Sequence, residues 1–131
     1  FAIPLVIYNI VMLAGDALAN NAVLFTIPMV STEEGMGVRT TDMFIMGGVI
    51  LLYFELLKAA RLSRSTILDH ALSLGVFIIY LIEFIVAAGA STATFLTLTL
   101  MSLLDVVAGF TITISTARRD IGLSADAFGG E

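Results

Sequence analysis

Four acidic residues stand inside strongly apolar sequence: Asp16, Glu55, Glu83 and Asp105. A carboxyl group in a dehydrated stretch is costly and therefore rare without a task. The chemistry open to it is narrow: hydrogen bonding between helices, ion pairing, or uptake of a proton or cation. Lys58 follows Glu55 by three residues, one helical turn, where it can neutralise Glu55 and, across helices, Asp105. Tyr80, one turn before Glu83, is that acid's expected hydrogen-bond partner.

Other chemistries are excluded by composition. There is no cysteine and a single histidine, His70. A disulfide, a thiolate metal site, a cysteine nucleophile and a bis-histidyl haem within one chain are all ruled out. No phosphate-binding glycine loop, H-x-x-x-H pair or nucleophile-elbow serine occurs. We therefore expect no catalysis, no metal and no cofactor. The six cations, Arg39, Lys58, Arg61, Arg64, Arg118 and Arg119, are scattered and do not build the basic face that a nucleic acid requires.

The elements that position these acids follow from hydropathy. The 131 residues are 59% hydrophobic and 13% charged, with a mean hydropathy of +1.05, too apolar for a domain that must cover itself with polar surface. Lipid is the solvent that suits this composition. A span needs about 20 mostly apolar residues, and the stretches 42–60, 67–89 and 93–116 each supply one. Residues 1–18 form a first span that carries Pro4, Asn9 and Asp16. Residues 22–30 are too few for another and read as a short re-entrant or interfacial element ended by Pro28. The stretch 31–41 has loop composition, Thr40 or Thr41 caps the next helix, and Ser91 or Thr92 caps the last. Residues 117–131 read as a loose cytoplasmic tail. The expectation is an all-α, polytopic transmembrane four-helix bundle forming one domain.

Charge placement orients it. Lys58, Arg61 and Arg64 crowd one turn and Arg118 and Arg119 follow the last span, whereas the 31–41 loop has only Arg39. The positive-inside rule puts the basic turn, the N-terminus and the C-terminus in the cytoplasm. His70 then falls in the first turn of the third span, as a solvated interfacial residue beside Asp69. Glu55 and Asp105 each lie 13 residues from the outer end of their helix, a shared depth of about 20 Å, while Glu83 is only about 9 Å down.

Small residues recur where helices approach closely: Gly47 and Gly48 in the second span, Gly75 in the third, Ser102 and Gly109 in the last. Aromatic residues such as Phe77, Tyr80, Phe84, Phe95 and Phe110 read as apolar mass. The functional expectation is a non-catalytic, multi-pass protein of a bacterial inner membrane that acts by helix association. It would be an accessory subunit of a larger complex or a homo-oligomer. A photosynthetic or respiratory complex would be a suitable host, though no residue selects it. The alternative is a proton or cation channel or transporter using Glu55 and Asp105 with Lys58.

Overall fold

Twenty apolar residues without an interior proline can satisfy every backbone group only by coiling into a helix, and the chain does this three times. The computed structural model describes residues 1–15, 21–60 and 66–128. Its elements are α1 (Ala2–Leu13), β1 (Val23–Met29), β2 (Thr32–Arg39), α2 (Thr40–Ala59), α3 (Thr66–Val86), a 3₁₀ turn (Ala88–Ala90) and α4 (Ala93–Phe128). The stretches Thr40–Ala59, Leu68–Val86 and Ala93–Ser115 are long and apolar enough to cross a membrane. With 12 residues, α1 reaches only about 18 Å.

The central element is α4. Both α2 and α3 pack along it, and α1 lies against α2 and α3. Phe1, Leu5 and Tyr8 recur at helical spacing and are buried against Tyr80, Ala90, Phe95 and Leu98. The Tyr8 ring meets Phe95 edge-on at 4.8 Å and Phe44 at 5.3 Å, while Tyr80 tilts onto Phe95 at 5.3 Å. Such edge-to-face contacts add to simple burial. Tyr80 and Phe95 are thus specific core contacts as well as apolar mass. The outward surfaces stay apolar: Ile50, Tyr53 and Phe54 of α2 and Leu72, Ile82 and Ile85 of α3 are exposed. Hydrocarbon, rather than water, fits that surface.

The stretch 22–30, expected to be a short re-entrant or interfacial element, forms a strand over Val23–Met29. β1 and β2 form a two-stranded antiparallel sheet, pairing Val23 with Arg39 and Met29 with Thr32. Val23, Phe25 and Ile27 alternate in β1 as β-branched and aromatic residues, which suits pleated backbone better than helix. Pro28 falls where the register shifts between Ile27 and Met29, a place that tolerates its missing N–H. Gly35 adopts φ +70°, and a Cβ there would lie 2.6 Å from the Ile27 carbonyl oxygen. At the base, the Thr40 N–H donates to the Ala22 carbonyl at 3.3 Å and the Thr41 hydroxyl to Asn21 Oδ1 at 2.9 Å. The hairpin therefore runs straight into α2, and the fold is mostly helical rather than all-α.

Boundaries shift with the caps. At the start of α2, Asp42 Oδ2 accepts from the Arg39 N–H at 2.9 Å, so the helix begins at Thr40. The Phe95 N–H donates to Thr92 Oγ1 at 3.1 Å, which makes Thr92 the cap of α4. α3 ends at Val86, and Gly89 lies under Met12, whose side chain a Cβ would strike. α4 does not give way to a loose tail at residue 117 but stays helical to Phe128. Its final stretch, Ala117 to Phe128, is rich in helix formers and holds only one glycine, Gly122.

Candidate functional site

The face of α4 that carries Ser102, Asp105, Gly109 and Thr113 has helical spacing and turns inward. Asp105 is only 6% exposed and Ser102 is fully buried. The Ser73 hydroxyl of α3 hydrogen-bonds the Asp105 carboxyl, and Glu55 of α2 and His70 of α3 lie within electrostatic reach of it. Asp105 Oδ2 and Ser102 Oγ have no hydrogen-bond partner. The threonines of α4 behave differently. Thr97, Thr99, Thr111 and Thr113 each donate to the carbonyl four residues earlier, at 2.8 to 3.0 Å.

His70 is not a solvated interfacial residue. It is 6% exposed, its Nε2 lies 2.7 Å from Thr113 Oγ1, and its ring rests against Phe110 at 5.6 Å. Because the Thr113 proton is committed to the Gly109 carbonyl, the His70 Nε2–H is the donor to Thr113. The ring fits because residue 109 has no side chain. A Cβ on Gly109 would stand 2.5 Å from His70 Nδ1 and 2.6 Å from Cε1. This contact also sets the start of α3 level with residue 113 of α4.

Lys58 departs from its expected partners. It reaches Asp69 at 3.5 Å, with both side chains well exposed, and leaves Glu55 and Asp105 without a lysine. Glu55 accepts from the Phe1 backbone nitrogen at 3.4 Å. Glu83 accepts from Asn9 Nδ2 at 2.8 Å, whereas the Tyr80 hydroxyl donates to the Phe1 carbonyl at 3.5 Å. Asp16, Arg61 and Arg64 lie outside the described residues. Arg118 is exposed on α4, and the Arg119 side chain lies outside the described residues.

The glycines divide into two kinds. Gly48 is buried, and a Cβ there would stand 2.8 Å from Leu98 Cδ2 and 2.9 Å from Met101 Sδ, so it allows α2 to approach α4 closely. Gly109 does the same for α3 through His70. Gly47 and Gly75 face open space and are not used in packing within the chain. Gly47 instead opens onto an apolar groove between α1 and α2, shared with Ile3, Pro4, Ile7 and Phe44.

Several functional-looking contacts were hidden from sequence reasoning. Tyr8 lies 2.7 Å from the Thr92 hydroxyl and donates to the Gly89 carbonyl at 3.4 Å, tying α1 to the cap of α4. Ser73 and Asn9 likewise became partners of acids only through helix packing. Serine and asparagine in an apolar run were the available signal, but their partners lie on other elements. Among the described residues no group of three His, Cys, Asp or Glu is placed to hold a metal ion. Comparison with protein-family models, curated proteins and solved structures gives no match.

Proposed function

We propose that this chain is a small, non-catalytic, multi-pass membrane protein that acts by association, as an accessory subunit of a larger complex or as a homo-oligomer. In this reading the helices form a four-helix bundle across a bacterial inner membrane. The basic end, carrying Lys58, Arg61, Arg64, Arg118 and Arg119, faces the cytoplasm. The level contact between His70 and Thr113 supports it, because Lys58 and Arg118 then sit toward one end of the helices.

Strand β1 carries the association reading. Val23, Leu24, Phe25, Ile27 and Met29 are exposed in a sheet of only two strands. A lone hairpin is marginal in water, and its open edges cannot face hydrocarbon. A hairpin this apolar is best served by a partner surface outside the bilayer core, through edge pairing or side-chain burial. The open notch at Gly47 offers a second contact at membrane depth.

The test is the native mass of the protein in mild detergent, for wild type and for Phe25→Asp. Wild type is expected above the mass of one chain, and the variant is expected to lose the larger species while remaining helical. A monomeric wild type that co-purifies with no other membrane subunit refutes association. The second reading, proton or cation transport, is favoured by the orphaned oxygen of Asp105 but has lost Lys58 as modulator. Ion flux in proteoliposomes, present in wild type and absent in both Glu55→Gln and Asp105→Asn, would support transport over association.

A further inference from the structure

Helix ends converge where α1 and α3 finish and α2 and α4 begin, and they surround a cavity of about 310 Å³. Tyr8 and Met12 wall it from α1, Thr41 from the start of α2, and Ala88, Gly89 and Thr92 from the turn into α4. The wall is mainly apolar, with a few polar groups gathered around Tyr8. A mostly apolar hollow with a few convergent polar groups is the usual form of a small-molecule site.

The polar groups of the wall have committed their protons inside the protein. The Tyr8 O–H donates to the Gly89 carbonyl at 3.4 Å, so the 2.7 Å contact between Tyr8 and Thr92 is a bond donated by Thr92. Thr92 Oγ1 accepts in turn from the Phe95 N–H at 3.1 Å, and the Thr41 hydroxyl donates to Asn21 Oδ1 at 2.9 Å. Hydroxyl and carbonyl oxygens each carry two lone pairs, which leaves acceptor capacity at Gly89 and Thr41. A molecule in the cavity must therefore bring the donor. Among the described residues no charged side chain lines the cavity, so an ion would enter without a counter-charge, at high cost.

Size and position narrow the class further. An apolar cavity of about 150 Å³ accommodates benzene. The larger volume here takes a ring with a polar substituent. The Met12 thioether in the wall favours an aromatic ring over an aliphatic chain. The ends of membrane-length helices lie near the bilayer surface, the level preferred by molecules with one apolar and one polar end.

We propose that this cavity binds a small uncharged phenol or aromatic alcohol. The ligand hydroxyl donates to the Gly89 carbonyl or to Thr41 Oγ1, and the ring rests against Met12 and Ala88.

Fluorine NMR of 4-fluorophenol, titrated into the protein in maltoside micelles and into matching empty micelles, tests this. Wild type is expected to show saturable binding at one site per chain, beyond the partition seen in empty micelles. 4-Fluoroanisole keeps the ring but lacks the donor, and should bind at least fivefold more weakly, the loss of about one hydrogen bond. 4-Fluorobenzylammonium, a cation, should bind at least tenfold more weakly. Ala88→Leu, which fills the cavity from its wall, should abolish saturable binding while helicity is kept. Signal changes no greater than those in empty micelles overturn the site. Binding of the anisole within fivefold of the phenol, or of the ammonium within tenfold, overturns the assigned chemistry. Unchanged binding in Ala88→Leu places the phenol elsewhere and also overturns the site. Should Ala88→Leu fail to fold, a nuclear Overhauser contact between the bound ring and the Met12 methyl group, present or missing in wild type, decides the same point.

Discussion

Substituting Gly109 by alanine tests the packing of the polar face most sharply. A new Cβ would stand 2.5 Å from His70 Nδ1 and 2.6 Å from Cε1, well inside contact distance, and the ring is buried and bonded to Thr113. The ring must move, which breaks its Thr113 hydrogen bond. Overpacking of this kind costs about 1–3 kcal/mol. The lost hydrogen bond adds about 1 kcal/mol. Alanine in place of a helical glycine returns about 1 kcal/mol. The expected net loss is therefore about 1–3 kcal/mol. Removing the obstacle reverses the sign. In a His70→Ala background, Gly109→Ala should stabilise by up to about 1 kcal/mol, giving a coupling of about 2–4 kcal/mol between the two positions. Reversible unfolding in mixed micelles, titrated with a denaturing detergent and followed by helicity, measures all four proteins of the cycle. Equal effects of Gly109→Ala in both backgrounds would refute the contact.

Gly48→Leu, which drives into Leu98 and Met101, should cost about 1–3 kcal/mol in the same assay, whereas Gly47→Leu should leave stability within about 0.5 kcal/mol. Tyr8→Phe removes the bonds to Thr92 and Gly89 and should cost about 1 kcal/mol; Tyr8→Ala, which empties the aromatic core, should cost about 3–5 kcal/mol. Lys58→Ala should cost less than about 1 kcal/mol, because its pair with Asp69 is largely solvated; a loss of several kcal/mol would show that Lys58 serves a buried acid after all.

Composition and the length of the apolar runs were enough to identify three membrane-length helices and, within a turn, the limits of α2 and α3 and the start of α4, but not the end of α4, which runs on to Phe128. Hydropathy is a local property that needs no knowledge of neighbours, and a bilayer imposes a fixed length on any helix that crosses it. The inward placement of Asp105 is a matter of packing: it is buried in the face of α4 that also carries the buried Ser102. The close-packing role of Gly48 and Gly109 could be anticipated from small residues in an apolar helix.

What remained hidden depends on rotation and pairing. The hairpin was missed because its apolar residues invited a membrane reading, while the strand that satisfies its backbone lies beyond Pro28. Whether Gly47 or Gly48 meets a neighbouring helix depends on a rotation of about 100° between successive residues, which hydropathy does not specify. Lys58 sits one turn from Glu55 by spacing, yet its long side chain extends to solvent and meets Asp69 there, because an ammonium is cheaper to keep hydrated than to bury. Likewise His70 looked interfacial by position, and only the missing side chain at Gly109 gave it room to turn inward. The sequence by itself determined that this protein has three helices long and apolar enough to cross a membrane. The tertiary structure alone decided which of its acids stand without a counter-charge, because helix rotation, and not helix composition, selects the partners of a buried charge.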